Sequence, residues 1–278
     1  MIKFWWDDSI IVDESLSLRI TKCHGNQMEP SDQRIDFLGI PLDAITMEDT
    51  IERIDHAIQK GEKLNHVVIN AGKVVAMQKN RELYESVVSC DLINADGQSI
   101  VWAARFLGHS IPERVAGVDL MHNLVKLAAL KGYSCYFFGA TEEVVSQVVQ
   151  IYRKQYGDEV IAGYRNGYFS KEEEPTIARS ISDSDADILF VAMPSPHKEN
   201  FMFRYRDQLA DLHFNMGVGG SFDVVAGQTK RAPRWMQRIG MEWFFRFLQE
   251  PRRMWKRYLI GNTKFIMLIL KERFRFGR

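Results

Sequence analysis

The feature that most constrains the fold is a rhythm: short apolar runs alternate with longer segments of helical period. Residues 66–70 (HVVIN), 91–94 (DLIN), 133–138 (YSCYFF), 188–192 (ILFVA) and 214–218 are nearly continuous in apolar side chains, with a shorter run at 160–162. Strands that read this way are buried on both faces, as in parallel sheets covered by helices. Between them the helical signals are local. Thr46 and Asp49 form a capping-box pattern, Ile51, Ile54 and Ile58 keep one face, and Gly61 supplies a stop, so a helix is expected over 47–60. Further helices are expected from about Val74, over 118–131 and 142–156 with Gly132 and Gly157 as their ends, and near 174–182 and 198–209. The sum is an α/β fold, a Rossmann-like and mostly parallel sheet with helices on both faces.

Charge divides the chain where the rhythm stops. From 228 to 278 there are 14 Lys/Arg against 3 Asp/Glu, a net +11, which leaves −11 for residues 1–227 of a chain whose total is zero. The same tail holds 10 of the 32 aromatics. Basic residues interleaved with bulky aromatics suit an anionic membrane surface better than nucleic acid. They equally suit a helical subdomain with an aromatic core and solvated arginines. Within the tail, Trp255, Leu259, Ile266 and Leu270 fall near one helical face and Lys256, Arg257 and Lys264 elsewhere, compatible with an interfacial helix or one packed on the body. The expected organisation is an N-terminal extension (1–33), an α/β core (34–227) and a helical, basic and aromatic C-terminal appendage (228–278). The longest apolar run near the C-terminus, 265–270, is far short of the roughly 20 residues of a spanning helix. The acidic N-terminus lacks a secretory pattern.

In an open parallel sheet, ligands bind beyond the carboxyl ends of the strands. Asn70, Asp96-Gly97, Gly139, the segment from Pro194 to Glu199 and the loop 217–223 (GVGGSFD) all follow strands. Asp96, with no side chain beside it at Gly97, suits a general base. It suits an Asx turn or helix N-cap as well. The amides of Gly219 and Gly220 can approach an anion, and a helix starting there would add its positive end. Other chemistry lacks support. There is no GxGxxG or P-loop, no GxSxG elbow, no HxxxH or HxH spacing among seven histidines and no CxxC among three cysteines, so neither a metal nor a nicotinamide cofactor is expected.

Several ordered segments together resemble the WecG/TagA/CpsF family of bacterial glycosyltransferases: Asn94-Ala95-Asp96-Gly97, the run from Pro112 to Leu120 (PERVAGVDL), the run from Gly217 to Gly227, Lys230-Arg231-Ala232-Pro233, and Gly240-Met241-Glu242-Trp243-Phe244-Phe245-Arg246 leading into Gln249-Glu250-Pro251-Arg252-Arg253. The likeness spans about Ile35 to Leu270. It implies an inverting, metal-independent enzyme that moves a sugar, usually of N-acetylmannosamine type, from a UDP-sugar to a polyprenyl-diphosphate-linked acceptor at the inner face of the membrane. By residue, it implies Asp96 as base and Asn70, Arg114, Gly139, Lys198, Gly219, Gly220 and Asp223 on substrate. Arg246, Arg252 and Arg253 would come from a membrane-docking appendage that completes the site. Arg114 has a plainer reading as a surface partner of Glu113. Two positions depart from the pattern: Val68 stands where many members carry Thr, and Lys198 where they carry Gln, which puts a cation within reach of a diphosphate or a sugar carboxylate. A catalytically inactive scaffold of the same fold is the alternative, and a homo-oligomer is left open.

Overall fold

A computed structural model describes residues 33–255 and 259–275. All but the last residue of the expected N-terminal extension therefore lies outside the described residues, as do Lys256 and Arg257. The described residues begin with a hairpin that the sequence did not lead one to expect, β1 (Arg34–Phe37) and β2 (Ile40–Asp43), antiparallel around Leu38-Gly39, whose φ values are both positive (57° and 78°). Such a two-residue turn matches strand twist. The order is then α1 (Met47–Gln59), β3 (Leu64–Ile69), α2 (Ala71–Met77), α3 (Arg81–Val88), β4 (Leu92–Ala95), α4 (Gln98–Leu107), α5 (Gly117–Lys131), β5 (Cys135–Gly139), α6 (Glu142–Tyr156), β6 (Ile161–Arg165), α7 (Glu174–Ser182), β7 (Ile188–Ala192), α8 (His197–Arg204), β8 (Phe214–Gly217) and α9 (Ser221–Val225). The tail adds α10 (Arg234–Arg238), α11 (Glu242–Gln249), α12 (Pro251–Trp255) and α13 (Gly261–Arg275).

β3 to β8 form one sheet in the order β4-β3-β8-β7-β5-β6, every neighbouring pair parallel. Period-two geometry sends adjacent side chains to opposite faces, and YSCYFF shows why its run must be apolar throughout. Phe137 packs on one face with Tyr152, Phe190 and Phe222, while Phe138 meets Phe169 and Phe201 on the other. On the first face α1, α5 and α6 supply Ile51, Leu124 and Val148; on the second α2 and α4 supply Val74 and Ile100.

The local signals hold where they were strongest. Thr46 Oγ1 accepts from the Asp49 amide at 3.1 Å and Asp49 Oδ2 accepts from the Thr46 amide at 3.1 Å, completing the capping box. α5 and α6 run to Lys131 and Tyr156, next to Gly132 and Gly157. The helix expected to reach 209 stops at Arg204, and the sixth strand runs on to Arg165. The hairpin is fixed by a distant carboxylate: Asp43 accepts from the Ile93 amide at 2.7 Å and pairs with Arg34 at 3.1 Å and Arg53 at 3.4 Å.

Because all six strands run one way, the segments after β3, β4, β5, β7 and β8 share the carboxyl edge of the sheet. The tail returns to the body on the α2–α4 face, where α13 buries Phe265 and Ile269 beside Val74, Met77, Ile100 and Val101.

Candidate active site

Asp96 follows β4 directly. Its amide bonds the Ile69 carbonyl at 2.9 Å, which ties the end of β4 to the end of β3. It does not cap the helix that follows: the N-cap of α4 is Gly97, and no side chain caps it. The half-buried Asp96 carboxylate instead turns toward α5, whose first amide, that of Gly117, donates to Oδ1 at 3.3 Å. Asn70 is the neighbour expected, since a Cβ on Gly97 would lie 3.6 Å from the Asn70 Cβ. Asn70 has a structural task too, accepting from the Lys73 amide at 3.0 Å as the N-cap of α2.

The segment before α5 runs along the end of β4, with the Val115 amide on the Ala95 carbonyl at 2.9 Å, so Arg114 stands beside the Asp96 edge. Its partner is not Glu113, which accepts from the Met47 amide at the start of α1 (2.6 Å). Arg114 Nη1 donates to Glu242 Oε2 at 2.8 Å, joining the body to the tail. A second tail residue completes the group: Arg231 meets both oxygens of Asp119, in the first turn of α5, at 2.5 and 2.6 Å. Burial pulls the Arg231 guanidinium down, but the bond to Asp119 and the charges of Asp119, Glu242 and Asp96 outweigh it and hold it above its ordinary value. The sequence reading quoted Arg231, Glu242 and Asp119 inside motifs without giving any of them a role. The signal available was the repeated pairing of Arg with acidic residues across those motifs.

Lys198 lies under the glycine loop. A Cβ on Gly217 would approach its Cδ to 3.0 Å, and one on Gly219 would lie 3.9 Å from its Nζ. The lysine is 7% exposed and Nζ sits 2.8 Å from Glu199 Oε1, which also takes Lys73 Nζ at 2.7 Å. Burial pushes Glu199 up, yet the two ammonium groups prevail and hold its carboxyl at about 2. Two buried ammonium groups therefore flank one carboxylate beneath the strand ends. Lys73 also donates to the Val68 carbonyl at 2.7 Å, so the departure at 68 is an apolar side chain whose backbone holds the same cluster. The expected helix after the loop is short, α9 having five residues. Asp223 folds back on it, with Oδ2 3.6 Å from the Cβ position of Gly220. Gly139 closes β5 at φ 123°, and a Cβ there would strike the Ala192 carbonyl at the end of β7. Its lack of a side chain is thus a packing requirement between two strand ends.

The three arginines expected from the appendage are placed differently. Arg246 is half-buried in α11, Arg252 is exposed at the start of α12, and the side chain of Arg253 lies outside the described residues. Around them Trp235, Ile239, Trp243, Leu248, Trp255, Leu259 and Ile260 are exposed. Of the two readings of this segment, α13 shows the packing one: Ile269 is buried against the body, while Ile266 and Leu270 face out. Among the described residues no helix is long and apolar enough to cross a membrane, and no three His, Cys, Asp or Glu side chains gather as metal ligands.

A model of the Glycosyl transferase WecG/TagA/CpsF family matches residues 35–278. Two relatives carry the name N-acetylglucosaminyldiphosphoundecaprenol N-acetyl-beta-D-mannosaminyltransferase. The chain is 34% identical to the one from Bacillus subtilis (strain 168) over 213 residues, 76% of this chain and 81% of that protein. It is 36% identical to the one from Bacillus spizizenii (strain ATCC 23059 / NRRL B-14472 / W23) over 198 residues, 71% of this chain and 74% of that protein. The resemblance of the five motifs and the match over nearly the whole described chain agree: this protein belongs to the WecG/TagA/CpsF family of glycosyltransferases.

Proposed function

We propose that the chain transfers a sugar of N-acetylmannosamine type from a UDP-sugar to N-acetylglucosamine carried on a polyprenyl diphosphate, with inversion and without a divalent metal. The observation that carries the reading is Asp96. Its carboxylate stands at the carboxyl edge of the sheet, is not used to cap α4, and has Arg114 and Arg231 at hand. In the reaction the acceptor hydroxyl forms a bond to the anomeric carbon, Asp96 takes the hydroxyl proton, and the bond from that carbon to the diphosphate oxygen breaks, with its electron pair leaving on UDP. Charge accumulating on the diphosphate needs cationic donors. We assign these to Arg114, Arg246, Arg252 and Arg253, with Lys198 beneath the loop of Gly219 and Gly220 contributing its field through a thin layer of backbone. Asn70 and Asp223 are assigned to the sugar and Gly139 to the wall of the crevice.

Residues 228–278 form the appendage that docks on the membrane in this reading. Support comes from its net +11 and its exposed aromatics, a pairing suited to the interface of an anionic leaflet. The chain would then work at the inner face of the membrane without crossing it, where the lipid-linked acceptor resides. The test is direct. Purified protein is mixed with UDP-N-acetylmannosamine and a short-chain polyprenyl-diphosphate N-acetylglucosamine, with UDP release and disaccharide-lipid formation followed with and without EDTA. Turnover that survives EDTA supports the whole reading; turnover lost to EDTA and restored by magnesium or manganese removes the metal-free part of it.

A further inference from the structure

Two arginines, Arg114 of the body and Arg231 of the tail, approach one carboxylate, that of Glu242. Glu242 Oε2 takes the hydrogen bond from Arg114 at 2.8 Å, while Oε1 lies 3.8 Å from Arg231 Nε, too long for a bond. The side chains of Arg114 and Glu242 are only 16% and 17% exposed, so both charges have given up much of their hydration. A carboxylate beside a site meant for a diphosphate repels the ligand. Its presence there calls for a return in geometry.

The details say which geometry. A carboxylate that served only to satisfy its neighbour within the tail would meet Arg231 Nε, which is buried and has no hydrogen-bond partner. Arg231 is already fastened by two bonds to Asp119, and that fork alone ties the tail to α5. Glu242 leaves Nε unmet and gives its hydrogen bond to Arg114. Its own place is set relative to Asp96, because α11 begins just after Gly240 (φ 72°), which is packed so closely on Gln98 and Trp102 of α4 that a Cβ would lie 2.7 Å from Gln98 Cγ. Gln98 is two residues from Asp96.

We infer that Glu242 is a positioning residue for the transfer: it aims the Arg114 guanidinium at the diphosphate subsite beside Asp96, and the packing of Gly240 on Gln98 and Trp102 sets its own place. The inference rests on the proposed role of Arg114 on a diphosphate. Arg114 uses one of its five N–H donors on Glu242, and a guanidinium fixed at one corner binds an anion with less ordering cost than a free one.

The experiment is a double-mutant cycle read by calorimetric binding of UDP and, separately, of inorganic pyrophosphate, on the full chain, with melting temperature followed for every variant. Arg114→Ala should weaken binding about tenfold or more, the loss of a charge-assisted bond, and Glu242→Ala about fivefold or more. The double variant should bind no more weakly than Arg114→Ala alone, since Glu242 acts only through Arg114. Glu242→Gln, whose amide oxygen can still accept from Arg114, should keep most of the affinity, and it carries the test if Glu242→Ala fails to fold. Kinetics on a short-chain acceptor should show the same order in KM. Additive losses in the double variant would make Glu242 a structural residue and overturn the proposal. Tighter binding in Glu242→Ala or Glu242→Gln would make it a competitor of the ligand and overturn it equally. A wild-type chain that transfers no sugar but shows the non-additive pyrophosphate cycle would sink the donor and acceptor reading and leave the positioning role standing; one that binds neither anion overturns both.

Discussion

The body and the tail are both rich in aromatics and treat them in opposite ways. Phe137, Phe138, Phe190, Phe214 and Phe222 are fully buried on the two faces of the sheet, whereas Trp235, Trp243, Trp255 and Phe274 of the tail are exposed. In the body those five rings sit in the core, and their burial contributes to stability. In the tail those four rings face outward, while Phe265 is buried against the body. Exposed apolar rings in a segment (228–278) with a net charge of +11 support the proposal that this segment docks on an anionic membrane. The contrast runs down to a single helix: Ile269 of α13 is 6% exposed and Ile266, three residues earlier, is 56% exposed.

Variants can break or sharpen that contrast. Phe137→Ala, at the centre of a cluster with Tyr152, Phe190 and Phe222, should cost about 3–5 kcal/mol in chemical denaturation. A loss under about 1 kcal/mol would mean the centre of the body is not packed as described. Ile269→Ala should cost about 2–5 kcal/mol, and Ile266→Ala less than about 0.5 kcal/mol. On vesicles containing anionic lipid the order should reverse, with Ile266→Ala weakening binding at unchanged fold and rising salt weakening binding of the wild type by screening. Equal effects of the two isoleucines on stability would erase the distinction between the buried and outward faces of α13.

A pH-dependent effect lies back in the body. His66 is buried, its Nε2 donates to Asn94 Oδ1 at 3.0 Å, and burial holds its pKa down at about 4. The unfolded chain takes up a proton near 6.5. Stability contributed by the neutral ring is therefore present above 6.5 and falls as the pH is lowered toward 4, by at most about 1.4 kcal/mol per pH unit. Melting temperatures from pH 7.5 to 4.5 should show the slope, and His66→Gln should flatten it. A wild-type profile no steeper than that of the variant would contradict it.

How much of this could be read in the sequence follows from the range of the forces involved. HVVIN, YSCYFF and ILFVA were legible as strands because burial on both faces leaves few polar positions, and Thr46 with Asp49 was legible because a capping box closes within one turn. The β1–β2 hairpin was not. Its strands are four residues each, and the carboxylate that fixes it, Asp43, bonds the amide of Ile93, 50 residues away. Residue 209 shows a middle case: the helix expected over about 198–209 ends at Arg204, and Leu209 is buried in a turn beyond it. At the site, Asp96 stood out because a strand end and a following glycine are both local facts. The partner of Arg114 could not, being 128 residues along the chain in the tail. Sequence proximity favoured Glu113 for that place, and the structure gives Glu113 to α1.

The central claim is that the carboxylate of Asp96 accepts the proton in a sugar transfer to a lipid-linked acceptor. The most direct measurement compares wild type and Asp96→Asn in single-turnover transfer from UDP-N-acetylmannosamine to the short-chain acceptor, with UDP affinity and melting temperature determined alongside. The account predicts a rate lower by about 10² or more, as for loss of a positioned base, with UDP binding and fold nearly unchanged. A variant that transfers at close to the wild-type rate would contradict it and return Asp96 to the role of a turn residue that meets the amide of Gly117.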